Sequence, residues 1–258
     1  SAVYLLVGCM PLEVHYHLGM LSLLGRILRS NNGPLVNLTL RQCSTSDLKS
    51  NSWFIRCMKL LHRYHLPDIS SLIENNHTKQ QWKSICKKAV ISHWMELLLQ
   101  SPVFESSLKF VNKDLLVAGR CHPCWSFAKP SMKDVKRSIT KTRLLTGTYI
   151  LQCTKSRFNQ FAIDPTCPLC QLEPETTYHF LIQCPALHSA RSTPLTAIKD
   201  VILESTDTDT WCSIITDETL AIQLILDGSR LPCVKLSHHS HNEVEYWARV
   251  LCHNVHCR

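Results

Sequence analysis

Glycine is scarce in this chain, 7 of 258 residues, and strand-like alternation bounded by turn dipeptides is scarcer still. Long stretches instead set leucine beside lysine, arginine or glutamine at helical spacing. That argues against a sheet-dominated fold and predicts a mainly α one. The opening run "AVYLLVG" is too short to span a bilayer and carries no basic leader, so a membrane partner is not expected. Also missing are a G-x-x-x-x-G-K-[ST] loop, an adjacent Asp-Asp pair and an internal repeat. Without paired carboxylates or a phosphate loop, the residues suggest no catalytic centre.

Fourteen cysteines stand out. With no secretory leader in view, they are read as core residues and metal ligands in a reducing, intracellular compartment, nucleus or cytoplasm. Hydrophobic content of 45% and charge of 19% are ordinary, and the length suffices for one large or two small domains. The charge is unevenly placed. Lys129, Lys133, Lys136, Arg137, Lys141, Arg143, Lys155 and Arg157 face one anion, Asp134, so this segment carries +7 of the net +8. Such a block is an electrostatic footprint for phosphates, or else a solvated helix face.

Residues 1–118 read as a bundle-like set of helices. "PLEVHYHLGMLSLLGRILRS" stops at Asn31-Asn32-Gly33-Pro34. A second helix has Trp53, Cys57, Leu60, Leu61 and Tyr64 on one stripe and ends by Pro67. Thr78 and Gln81 form a capping box for a third, with Trp82, Ile85, Cys86, Ala89 and His93 on one face. Cys57, Cys86 and His93 are therefore core residues in this reading. Residues 119–130 break the periodicity as a linker. A basic helix starts near Ser131, with Met132, Val135, Ile139 and Thr142 as its packing stripe and Lys133, Lys136, Arg137 and Lys141 opposite. Leu144 and Leu145 leave that stripe, so the helix ends there or meets a second contact. The segment 131–191 joins this helix to a small knuckle. A polar loop and a helical tail fill 192–258, with Val244, Trp247, Ala248, Leu251, Cys252 and Val255 at helical spacing.

The knuckle is "CPLCQLEPETTYHFLIQC", with Cys167, Cys170, His179 and Cys184 in the order C-x2-C-x8-H-x4-C. Thiolate and imidazole are the donors tetrahedral zinc prefers, so one structural zinc is expected; four protein ligands leave no open position for hydrolysis. His179 falls inside a short helix. In an unbroken α-helix, positions five apart lie about 140° from each other, so the helix must end before Cys184. Pro185 favours that, because it pushes Cys184 out of the α region. His188 is the nearby substitute ligand. Cys121 and Cys124 form a bare C-x2-C that leaves a second zinc open. "HHSH" (238–241) reads as a surface turn, and Cys252 in "CHNVHC" reads as core.

The run "TRLLTGTYILQCTKSRFNQFAIDPTCPLCQLEPETTYHFLIQCPAL" (142–187) resembles the zinc-knuckle region that follows the polymerase domain in non-LTR (LINE-type) retrotransposon reverse transcriptases. The likeness rests on "RLLTGTY", "CPLC" and "ETTYHFLIQCP". It extends more loosely to "PLEVHYHLGMLSLLG" and "SNSWFIRCMKLL", which look like the helices between polymerase core and knuckle. The resemblance implies that Cys167, Cys170, His179 and Cys184 hold the metal, and that the region handles nucleic acid, RNA or single-stranded DNA, including element RNA and target DNA. The palm motif Tyr/Phe-x-Asp-Asp of such polymerases is missing from this chain, so no polymerase activity carries over. The leading expectation is a non-catalytic, zinc-dependent nucleic-acid-binding segment in which Tyr149, Phe158 and Tyr178 offer stacking surfaces. The alternative is a zinc-stapled scaffold remnant that binds no nucleic acid.

Overall fold

A computed structural model of the chain describes residues 2–30, 33–45, 49, 51–75, 77–100, 108–160 and 162–258. Among these the fold is mainly α. The described residues hold no strand, only an isolated antiparallel bridge between Thr166 and Pro174. The chain divides into two compact units, Cys9–Gln100 and Ser1–Gly8 with Ser101–Arg258.

In the unit Cys9–Gln100, helix α2 (Leu12–Leu28) packs on α3 (Gly33–Thr45), α4 (Trp53–Arg63) and α6 (Lys79–Leu99), and α5 (Ile69–Glu74) is a short helix between α4 and α6. The expected stop at Asn31-Asn32 lies outside the described residues; α2 itself ends at Leu28. Helices α4, α5 and α6 each begin on a side-chain cap, which satisfies an otherwise orphaned amide. Ser52 accepts from the Ile55 N–H and Asp68 from the Ser71 N–H. Thr78 and Gln81 form the full capping box, at 3.2 and 2.9 Å. The apolar stripes close on one core that includes Leu21, Leu24, Cys57, Leu61, Trp82 and Cys86. Burial pushes the Cys57 and Cys86 thiols up to about 12, so both behave as small hydrophobes. Packing is close enough that a Cβ on Gly25 would collide with the Trp82 ring, whose Nε1–H donates to the Leu21 carbonyl.

The other unit is organised on its last helix. Its members are α1 (Ala2–Val7), α7 (Pro123–Ser126), α8 (Met132–Leu145), α9 (Gln152–Phe158), α10 (His188–Leu203), α11 (Thr208–Thr216), α12 (Glu218–Asp227) and α13 (His238–His256). Helix α13 packs along α10 and α8 and touches α7 and α12. Val244, Ala248, Leu251, Cys252 and Val255 are buried as their spacing predicts, with Trp247 half-buried.

Two sequence expectations are corrected here. Residues 119–130 are not a free linker. His122, Pro123 and Cys124 are buried, the His122 N–H donates to the Leu6 carbonyl, and α7 packs on α8 and α13. Helix α1 thus sits with the C-terminal unit, and the compact boundaries fall at 8/9 and 100/101 rather than at 118.

The second correction concerns the buried face of α8. Met132 is 72% exposed and Ile139 44%, while Asp134, Ser138, Lys141, Leu144 and Leu145 are buried. The reason is α13. Its Glu245 takes the Lys141 ammonium at 2.6 Å, and its Arg249 reaches Asp134 at 3.6 Å, donating also to the Phe127 carbonyl. A lone buried charge costs several kcal/mol, so these groups must be paired and turned inward together. The two leucines that leave the apolar stripe mark this other face.

A second polar hub ties residues 108–122 to α12. The Asp227 carboxylate accepts from His122 Nε2 (3.1 Å), the Asn112 N–H (2.8 Å) and the Ser229 hydroxyl (2.5 Å). Burial disfavours its charge, but these hydrogen bonds and His122 outweigh it and hold the carboxyl at about 2.

Candidate metal centre

The knuckle begins as a tight loop closed on both sides. The Cys167 N–H donates to the Glu173 carbonyl and the Glu175 N–H to the Pro165 carbonyl, each at 2.8 Å. Within the loop the Gln171 N–H returns to the Cys167 carbonyl, with Gln171 in the left-handed region at φ 56°. That reversal brings Cys167 and Cys170 to one side.

The other two donors come from a helical turn wound in an unusual way. Thr177 and Tyr178 start it, and His179–Gln183 continue it as a π-helix. The Cys184 N–H donates to the His179 carbonyl, five residues back, at 2.8 Å. Pi winding brings positions five apart much closer to one face than α winding does. Cys184 then leaves the helix at φ −50°, ψ 115°, the extended conformation that Pro185 imposes. The expected break before Cys184 is present, and the wider turn is the part the sequence did not announce.

All four donor atoms lie within 4.8 Å of one another. Cys167 Sγ is 3.9 Å from Cys184 Sγ, and Cys170 Sγ is 3.3 Å from His179 Nε2. Cys167, Cys184 and His179 are buried and Cys170 is half-buried. His179 turns Nε2 into the cluster, and its Nδ1, which makes no hydrogen bond, lies 3.4 Å from the Glu173 carboxylate. A carboxylate behind the outer nitrogen is the usual way a ligating imidazole is oriented. The Leu172 N–H, chiefly, lowers the Cys170 thiol to about 7, against burial and with help from Cys167, His179 and the Glu173 N–H. Burial raises Cys184 to about 11; the Ala186 N–H works against that, and the neighbouring sulfurs add to it. The donor set is convergent, mostly buried and soft, and it can hold one metal ion.

The other sequence clusters do not converge this way. Cys124 is buried, faces the Ser138 carbonyl and Thr142, and is pushed up to about 12 by burial; Cys121 is exposed and its thiol meets the Val7 carbonyl. His188 is exposed at the start of α10, outside the four-donor cluster. His238 and His239 are exposed on the first turn of α13, and Cys252 is core.

The eight basic residues separate into two groups. Lys129, Lys133, Lys136, Arg143, Lys155 and Arg157 are exposed, and Arg137 is half-buried between Asp134 (3.5 Å) and the Tyr246 ring (5.6 Å). Lys141 is a correction, because it is fully buried. Burial works against its charge, but the Glu245 carboxylate, with the nearby sulfurs of Cys124 and Cys252, holds its pKa above the ordinary lysine value. It is unable to touch a phosphate in this fold. The sequence reading missed His253 on α13. Burial and then the charges of His256, Arg137, Lys136 and Lys133 lower its pKa, so the last turns of α13 belong to the same positive neighbourhood.

Of the three aromatics, Tyr149 packs on Phe180 and hydrogen-bonds His256, and Tyr178 donates to the Ile215 carbonyl. Phe158, beside Arg157, is 84% exposed. Among the described residues, no helix is long and apolar enough to cross a membrane. No family model, curated protein or solved structure matches this chain.

Proposed function

We propose that this chain is a non-catalytic, zinc-stapled module that binds RNA or single-stranded DNA, of the kind that follows the polymerase domain in LINE-type retrotransposon reverse transcriptases. Zinc is the metal that this donor set favours. Zinc–sulfur bonds of about 2.3 Å in a tetrahedron put sulfurs roughly 3.8 Å apart, and a sulfur and a nitrogen roughly 3.5 Å apart. The separations of 3.9 and 3.3 Å fit both. With its four positions filled by protein, such an ion holds the loop to the π turn and offers no site for a substrate.

The observation that carries the nucleic-acid reading is the sorting of charge between Lys129 and Arg157. Six cations there are exposed, while the only anion, Asp134, is buried and paired. The surface of this segment therefore presents positive charge without a compensating carboxylate of its own. Exposed Phe158 adds a ring on which an unpaired base can stack. Nuclear or cytoplasmic residence belongs to the same reading.

The test is binding of single-stranded RNA and DNA over a salt series. Contacts by about four cations give a log–log slope near −3, at about 0.7 per contact. Replacing Lys133, Lys136, Lys155 and Arg157 together by Gln is expected to flatten the slope and weaken binding to all sequences alike. Lys141 stays in place because it is structural. An equal loss on neutralising exposed Lys59, Lys83, Lys87 and Lys88 overturns the assignment, as does no binding by the parent chain; a scaffold role then leads.

A further inference from the structure

Arg191 is the fourth residue of α10, seven positions after the ligand Cys184, and it is only 5% exposed. Three things are unfavourable about a cation there. Its guanidinium is removed from water, and burial lowers its pKa. Its Nη1 is buried without a hydrogen-bond partner. It also stands near the positive end of a 16-residue helix, where cations are disfavoured. No salt bridge offsets these costs: among the described residues, no carboxylate lies within ion-pair distance of Arg191. Helix α10 packs on the π turn that carries His179, Cys184 stands one short turn ahead of its first residue, and the Cys184 sulfur is the group whose charge favours Arg191.

A group this costly persists when an anion compensates it. The metal centre supplies one. Three thiolates and a neutral imidazole around a divalent ion sum to −1, and that charge sits on largely buried sulfurs, one of which is Cys184. Backbone N–H groups of Leu172 and Ala186 already point at Cys170 and Cys184, but they are dipoles and leave the unit charge in place.

We infer that Arg191 is the counter-ion of the metal centre, a positioning residue that neutralises the net negative charge of the loaded three-thiolate site through Cys184. This rests on the zinc reading above. It explains why α10 carries a buried arginine where an apolar side chain would otherwise pack, and it makes α10 part of the metal site and not merely the helix that follows it.

The experiment loads the full chain with zinc and measures affinity by competition with a chromophoric chelator. Wild type, Arg191→Lys, Arg191→Gln and Arg191→Met are compared, and cobalt substitution reports thiolate coordination by its charge-transfer band. The Gln and Met variants are expected to bind zinc about tenfold or more weakly with the cobalt spectrum still that of three thiolates, the scale seen when groups behind metal ligands are removed. The Lys variant should retain most of the affinity. The sign of the stability change separates this role from simple packing. In the zinc-loaded protein Arg191→Met should lower the melting temperature, and in chelator the same change should be neutral or stabilising, since a buried unpaired charge is removed. Equal zinc affinity in all four proteins, or equal destabilisation with and without metal, overturns the inference. Absence of zinc binding by wild type overturns the zinc reading itself, a different and separately visible result.

Discussion

In the unit Cys9–Gln100, Thr39 is the polar or charged side chain that is buried among the described residues; the unit organised on α13 buries fifteen, including His122, Asp134, Lys141, Glu175, His179, Arg191, Asp227, Glu245 and Arg249. The first unit is held by apolar closure, with its lysines outside and Cys57 and Cys86 serving as hydrophobes. The second is held by apolar closure and by groups that must each find a specific partner. Apolar packing tolerates approximate substitutes, whereas an orphaned charge does not. The two units should therefore respond very differently to nominally similar changes.

The sharpest contrast is between cysteines. If the proposed zinc is bound, Cys167→Ser is expected to abolish its binding and to lower the melting temperature to that of the chelated protein. Structural zinc contributes on the order of 10 kcal/mol in small metal-folded peptides. Cys86→Ala should leave metal content at one per chain and cost only a small cavity, about 1 kcal/mol. Elemental analysis and thermal melts of the two variants check this; metal retained by Cys167→Ser breaks the comparison.

Lysines come next. Lys141→Met strands the Glu245 carboxylate in the core and is expected to cost about 3–5 kcal/mol, whereas replacing both partners by apolar residues recovers most of it. Lys88→Met, on the exposed face of α6, should fall within about 0.5 kcal/mol of wild type. Urea titration decides the matter. Equal effects at positions 141 and 88 contradict the inward turn of α8.

The smallest effect concerns acid. Asp227 has a folded pKa of about 2, depressed from the unfolded value of about 3.9. Its contribution is complete above the unfolded value and is lost as pH falls from about 4 to about 2, in total about 2 kcal/mol. The stability gap between wild type and Asp227→Asn should therefore close over that interval. A gap that stays constant through it removes the pairing with His122 from the account.

Much of this was legible in the residues. Apolar spacing at 3.6 placed α4, α6 and α13 and named their apolar buried residues, because burial of those side chains is decided by transfer of apolar surface. The capping box at Thr78 and Gln81 is local chemistry and needs no tertiary information. The cluster of Cys167, Cys170, His179 and Cys184 was readable for the same reason, as residue type and spacing are properties of a short stretch of chain. What the tertiary structure alone decided involves partners far apart in sequence. Glu245 lies 104 residues beyond Lys141, so nothing near α8 discloses that its lysine turns inward and its methionine outward. The boundaries at 8/9 and 100/101 likewise depend on α1 packing with residues more than a hundred positions later, such as Leu6 with His122. The π winding at His179–Gln183 belongs with them: a five-residue spacing states that two ligands must meet, and only the folded loop, fixed from both sides by Pro165 and Glu173, determines how the helix widens to let them.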